Sequence, residues 1–403
     1  MLKRSESNPV LVEVRRGDEV ESFHRGAAAI VNARGEMLAA WGDVERPIFP
    51  RSAVKMIQTL PLIESGAAER FALTDMQIAL ACASHSGEPG HVRAIESWLS
   101  QIGLAADALA CGTHSPLDEH AARDLAARGE KPSALHDNCS GKHAGFLTTA
   151  QHIGAPTDGY VLRSHPVQKA VTQALADMTE CNLDAAPCGI DGCGIPAYAL
   201  PLRALAFAMA KLARSESLET TRRSAADRLL AAVCAHPWHV AGTGRFDTRA
   251  ISAGASRFVV KTGAEGVHVA GIRQSGLGVA VKIDDGTRRG AELTMGALLR
   301  CFGVLGNKND TAWEQSVVSS RSGEPVGMAM PAAAWMADAE REHCPLLPRV
   351  ILNMKRVLAL PTEEALWNPR PSPRAARWAV TSSSNSRLFA ACAMADAAPL
   401  SSA

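Results

Sequence analysis

The sequence predicts an α+β fold in which both ends of the chain build an antiparallel sheet lobe around an inserted helical lobe. Three observations point there. Short runs rich in β-formers fill positions 10–41, and helical patterning with Gly and Pro punctuation takes over to about residue 240. Apolar runs of strand length, set between glycines, return at 257–283.

The first strands are 10–14, 19–30 and 36–41. Asn32-Ala33-Arg34-Gly35 supplies the turn between the last two, because Asn and Gly tolerate the positive φ of a tight hairpin. Pro47 and Pro50 break the strand pattern, and 52–64 reads as a helix ending near Gly66. Helices follow over 75–83, 88–102, 117–127, 141–153, 166–178, 202–213 and 220–235. Residues 257–261, 267–272 and 277–283 read as antiparallel strands, and 291–302 as a final helix. The sheet lobe therefore comprises 1–66 and 250–303, the helical lobe 67–249, and the cleft between them is the natural place for a site. From 304 to 403, Pro, Ser, Ala, Arg and Met dominate, and four of the seven tryptophans lie there without periodicity. That stretch reads as an atypical, weakly structured tail in which 346–360 has the best helical pattern. Such a tail would leave one face of the strands at 257–283 open to solvent.

Composition narrows the function. Lysine plus arginine (42) nearly balance aspartate plus glutamate (41), so no electrostatic argument favours nucleic acid or an anionic membrane. A small neutral or zwitterionic substrate suits that balance. The first residues carry charge with no apolar run behind them, and no stretch reaches the roughly 18 apolar residues of a membrane span. The expected location is the cytoplasm, where the ten cysteines stay as thiols or metal ligands.

Ser52-Ala53-Val54-Lys55 is an S-x-x-K at a helix start. Positions i and i+3 share a helix face, so the Lys55 amine can take the Ser52 proton if burial or a nearby cation lowers its basicity. Alone, the pattern recurs by chance about once in a chain of this length. Lys261-Thr262-Gly263 at the end of an apolar strand is rarer, and Ser84-His85-Ser86 closes an apolar helix. Read singly, these are also a strand turn and a helix cap. Together and in this order they resemble the motif set of serine β-lactamases and penicillin-binding proteins. Ser-His-Ser replaces the Ser-Asp-Asn of that set, and no secretory signal is visible, so penicillin is not the expected substrate. Cys139-Ser140-Gly141-Lys142-His143 and Asp191-Gly192-Cys193-Gly194 add two thiols and a nitrogen donor, a set open to zinc. Buried structural thiols beside glycine turns are the alternative. His236-Pro237-Trp238-His239 has zinc-like spacing, but its proline argues for a turn.

A closer resemblance rests on longer blocks. Phe49 to Lys55, Cys82 to Glu88, Asn138 to Gly145, Asp191 to Gly194, Ala241 to Arg245 and Val260 to Gly266 look like the Rhizobium etli-type L-asparaginases. The likeness runs over about 9–303. It implies a serine β-lactamase-like fold, a homodimer, and hydrolysis of asparagine to aspartate and ammonia. It also implies Ser52, Lys55, Ser84 and Lys261 as two serine–lysine pairs, and zinc on Cys139, Lys142 and Cys193. In the layout it suggests, Ser52 attacks the amide, with the oxyanion between the N–H groups of Ser52 and Ala264. Lys261 lowers the basicity of Lys55 and relays protons through Ser84. Arg51 and Arg245 are candidates for the substrate carboxylate, and Asp191 for its amine. A glutaminase of the same fold and a non-catalytic zinc- or thiol-binding relative are the competing expectations.

Overall fold

The structure is a computed structural model and describes residues 8–305, 313–335 and 337. Strands β1 (Val10–Arg16), β2 (Glu19–Asn32) and β3 (Met37–Trp41) open the chain, followed by the short β4 (Pro47–Ile48). A 3₁₀ turn over Arg51–Val54 then runs straight into α1 (Lys55–Glu64). The expected helix at 52–64 therefore starts as 3₁₀. Arg51 sits at a left-handed φ of 53°, so regular α winding cannot begin before it.

Helices α2 (Ala67–Arg70), α3 (Asp75–Ala81), α4 (Pro89–Gln101), α5 (Glu119–Ala127), α6 (Ser140–His152) and α7 (Pro166–Thr179) follow. A small hairpin, β5 (Cys188–Ile190) and β6 (Pro196–Tyr198), precedes β7 (Leu200–Pro201), which pairs with β4. Next come α8 (Leu202–Ala213), α9 (Thr220–Ala235), α10 (Pro237–Val240) and α11 (Phe246–Gly254). Pro237 occupies the first turn of α10, so the 236–239 segment is a short helix and not the turn its proline suggested. The chain returns to sheet with β8 (Phe258–Thr262), β9 (Val267–Ile272) and β10 (Leu277–Ile283), then α12 (Arg288–Cys301), β11 (Ser316–Ser319) and β12 (Pro325–Pro331).

The architecture is α+β around one curled antiparallel sheet, ordered β11-β12-β1-β2-β10-β9-β8, with β3 also on β2. The long β2 makes the curl possible. Its first half pairs with β1 (Val14 opposite Ser22), and its second half lies between β10 (Ala29 opposite Ala280) and β3 (Ala29 opposite Ala40). Gly278 of β10 lies against the Ala206 carbonyl of α8, whereas Ile283 packs on Gly290 of α12. An odd residue separation puts these on opposite faces, so α8 and α12 cover the two sides of the sheet. Burial on both faces explains why β9 and β10 read as continuous apolar runs rather than alternating ones. Helix α8, assigned from sequence to the helical lobe, thus packs on β2, β9 and β10.

The reading of the tail needs correction where the structure describes it. The strands at 258–283 are covered, since α8 and α12 pack on β9 and β10, and α11 and α9 pack on β8. Residues 316–331 are not weakly structured either. They form a hairpin whose β12 pairs with β1, Val12 opposite Pro331 and Val14 opposite Ala329. Ala329 packs with Val12, Val14 and Leu293 in a small core. Met, Ala, Gly and Pro hide this strand from propensity, and its partner lies over 300 residues earlier in the chain. Trp313 and Trp335 are buried, Trp335 edge-on to Trp41 at 5.8 Å and Trp313 edge-on to Phe246 at 5.6 Å. The helical pattern at 346–360 lies outside the described residues. Among the described residues, no helix is long and apolar enough to cross a membrane.

Candidate active site

Three motif residues from three elements meet at one hydroxyl. Lys55 opens α1, Ser84 follows the C-terminal end of α3, and Lys261 sits on β8. Ser84 is pinned by its N–H donating to the Val240 carbonyl at 2.9 Å. Its Oγ receives the Lys55 Nζ at 3.1 Å and the Lys261 Nζ at 2.9 Å. Lys55 also donates to the carbonyls of Ala83 and Asn138, and Lys261 to that of Thr262 at 2.7 Å. Burial, reinforced by Lys55 and Arg245, pushes the Lys261 amine down to about 7, with Asp247 opposing.

Ser52 stands apart from this chain. The expected Ser52–Lys55 hydrogen bond is not made, and the Ser52 hydroxyl has no hydrogen-bond partner among the described residues. A buried lysine has three N–H donors to satisfy. Two backbone carbonyls and Ser84 use those of Lys55. Ser52 is half-buried, while Ser84 is 5% exposed, so Ser52 is the more accessible of the two residues.

The K-T-G turn closes on Ser52 through a glycine. A Cβ on Gly263 would lie 2.6 Å from the Pro50 carbonyl oxygen and 3.2 Å from the Ala53 Cβ. Only glycine permits that approach, which sets Ala264, the next residue, beside the 3₁₀ turn that carries Ser52.

A second cluster adjoins the first. Gly141 lets α6 pack directly on the Leu80 carbonyl of α3, and Cys139 at its start lies within electrostatic reach of Lys55 and Lys261. Cys193 comes from the β5–β6 turn, which is tied by Asp191 N–H to the Ile195 carbonyl and Gly194 N–H to the Asp191 carbonyl, both 2.8 Å. The Lys142 Nζ is 3.0 Å from the Cys193 Sγ. The Cys139 thiol lies 3.0 Å from the Asn138 Oδ1, and contact with Cys193 together with the charges of Lys55 and Lys142 holds it well below the ordinary thiol range despite burial. Contact with Cys139 and burial push Cys193 up. Burial alone would lower Lys142, but the two sulfurs outweigh it and raise it. Among the described residues no three His, Cys, Asp or Glu side chains are placed to hold a metal ion, and the third donor of this cluster is a lysine.

Arg51 and Asp191, expected on the carboxylate and the amine of a substrate, bond to each other at 3.1 Å. Arg245 is different. It is half-buried, its guanidinium reaches only the Ser86 Oγ, at 3.4 Å, among the described residues, and burial lowers its basicity. Sequence reasoning missed Asp247 and His268, both buried behind Lys261. An acidic residue in the first turn of a helix was the one available signal for Asp247. The carbonyls of Ala83 and Asn138 leave no side-chain signal at all.

The family model for L-asparaginase II matches residues 12–331. The chain belongs to that family. The L-asparaginase II match runs past the limit of 303 expected from sequence and takes in β11 and β12. Membership supports an L-asparaginase-type amidohydrolase acting on a small molecule. No curated protein matches the chain. Among solved structures, Mglu in its native form in 4.3 M NaCl aligns at TM-score 0.40 and 12% identity, over 71% of this chain and 63% of that one. A β-lactamase from Mycobacterium bovis aligns at TM-score 0.33 and 14% identity, over 68% of this chain and 94% of that one.

Proposed function

We propose that this L-asparaginase II family member hydrolyses L-asparagine to L-aspartate and ammonia through a serine acyl-enzyme. The observation that carries the reading is the hydrogen-bonded series Lys55–Ser84–Lys261 placed beside a half-buried, unbonded Ser52 hydroxyl. Ser52 Oγ attacks the side-chain amide carbon. Its proton passes by way of Lys55 and Ser84 towards Lys261, whose amine lies near 7 and so exchanges a proton readily at neutral pH. The N–H groups of Ser52 and Ala264 are assigned to the oxyanion, donors of a kind worth about 3–4 kcal/mol of barrier each. Arg245 is assigned to the α-carboxylate, because its guanidinium makes no ion pair among the described residues. Arg51 and Asp191, being paired with each other, are assigned a structural part beside Ser52. The proton taken from Ser52 is handed on to the amide nitrogen, ammonia departs as the C–N bond breaks, and water resolves the ester to aspartate and free Ser52.

Zinc fits the second cluster. Cys139, Lys142 and Cys193 bring two sulfurs and a lysine nitrogen together, with the Lys142 Nζ 3.0 Å from the Cys193 Sγ, a buried donor set suited to a borderline-soft cation once Lys142 and Cys193 give up their protons. Bound there, zinc would act as a Lewis acid and orient the substrate. The nucleophile remains Ser52.

The test is trapping. A slow amide or ester substrate should leave a mass adduct on the peptide containing Ser52, and Ser52→Ala should abolish both adduct and turnover. An adduct on Ser84 would reassign the nucleophile to the hydroxyl that holds both amines. Rates of ammonia release from asparagine and from glutamine decide the substrate. One methylene is worth only about 1–3 kcal/mol in a pocket, so the comparison must be quantitative.

A further inference from the structure

Lys261 is faced by Lys55 from α1, Arg245 from the turn before α11, Cys139 at the start of α6, and Asp247 from α11. His268 on β9 stands behind Asp247. Asp247 is 3% exposed, and each of its oxygens is engaged. Oδ2 accepts the Thr262 N–H at 2.8 Å and lies 3.9 Å from the Lys261 Nζ. Oδ1 accepts the Thr262 hydroxyl at 3.1 Å and His268 Nε2 at 3.0 Å. Its place in the first turn of α11 adds the favourable end of the helix dipole. Burial alone would raise this carboxyl, but His268, Lys261 and the Thr262 N–H outweigh it and hold it well below the ordinary range.

Thr262 is gripped from two sides. Its N–H and hydroxyl go to Asp247, and its carbonyl accepts the Lys261 Nζ. At 3.9 Å the carboxylate is too far for a hydrogen bond to Lys261 but close enough to act through a low-dielectric interior. We propose that Asp247 is a positioning residue of this site, which by holding Thr262 and facing Lys261 keeps that amine against Ser84 and sets whether it carries a proton. The inference rests on the serine–lysine reading above and deepens it.

The experiment compares the full-length protein with Asp247→Asn, using ¹³C-labelled lysine with Lys261 assigned through Lys261→Met, and ammonia release across pH. In the wild type the Lys261 resonance should titrate near neutrality. In Asp247→Asn its midpoint should fall by about one to three pH units, a loss of roughly 10- to 1,000-fold in proton affinity, because a neighbouring anion favours the charged amine. The limb of kcat/KM governed by Lys261 should move to lower pH with it. A midpoint and limb that stay in place while the rate drops uniformly would mean a merely structural role and overturn the proposal. Should Asp247→Asn fail to fold, wild-type protein with ¹³C-labelled aspartate decides the matter. The Asp247 carboxyl resonance should then report the Lys261 titration at the same midpoint, and a flat trace there overturns the pairing. If the wild type releases no ammonia from asparagine or glutamine, the functional reading fails while the two resonances still test the pairing.

Discussion

At Ser84 two buried amines converge on one hydroxyl, and burial, reinforced by the neighbouring charges of Lys55 and Arg245, keeps one amine from being a simple cation. Lys261 is that amine, at about 7. A group depressed in this way is protonated below about 7 and neutral above it, so a step that needs the neutral amine should slow about tenfold per pH unit on the acid side. Lys261→Met should remove that limb and lower kcat by about 10²- to 10⁴-fold, read from ammonia release over a pH series. A limb that survives in the variant would place the titrating group elsewhere. The residue types were legible from S-x-x-K and K-T-G, but the depression of Lys261 follows first from its burial, against the opposing charge of Asp247, and a motif contains neither. The cysteine cluster carries a second residue-scale prediction. Protein purified without chelator should hold about one zinc per chain, and Cys139→Ser or Cys193→Ser should each reduce it in elemental analysis. Metal-free wild type whose affinity and rate ignore added zinc would leave the thiols structural.

Elements bring these residues within reach, and close backbone approach is the means. The 3₁₀ turn at Arg51–Val54 keeps Ser52 and Lys55 on one face, since i and i+3 eclipse in that winding. Gly263 then allows β8 to end against it. Gly263→Ala would put a methyl 2.6 Å from the Pro50 carbonyl, so the turn and the strand end must separate. Overpacking of this kind costs about 1–3 kcal/mol of stability. Displacing the Ala264 N–H from Ser52 should lower kcat by at least about tenfold, as loss of one oxyanion donor does. Chemical denaturation and steady-state rates on the same preparation separate the two effects. Unchanged kcat with reduced stability would detach the turn from the oxyanion. Helices α8 and α9 and strands β9 and β10 were readable from local pattern, because each buries an apolar face with turn residues at its ends. Helix α11, short and bordered by glycine turns, was not read, and with it Asp247 went unnoticed.

On the scale of the whole molecule, the sheet is complete on its β1 side only when β12 joins β1. Shortening the protein to residues 1–305 strips β1 of that partner and exposes Val12 and Val14, which pack with Ala329. A version ending at 337 keeps the pairing. The shorter one should melt several degrees lower and self-associate, because it uncovers an edge strand with a fresh apolar surface. Side-by-side thermal melts and sedimentation test this. Equal melting temperatures and equal monodispersity would make β11 and β12 accessory.

Local chemistry was enough to predict an α+β chain, a helical insertion between two sheet segments, and the residue types of a serine–lysine site. Periodicity and motif spacing encode those features within a few turns of chain. The pairing of β1 with β12, the placement of α8 on the sheet, the choice of Ser84 over Ser52 as the amines' partner, and the Asp247 grip on Thr262 were not readable in that way. Each is a contact between segments distant in sequence. Each is settled by which buried donors find acceptors, and that is known only once the chain has closed on itself.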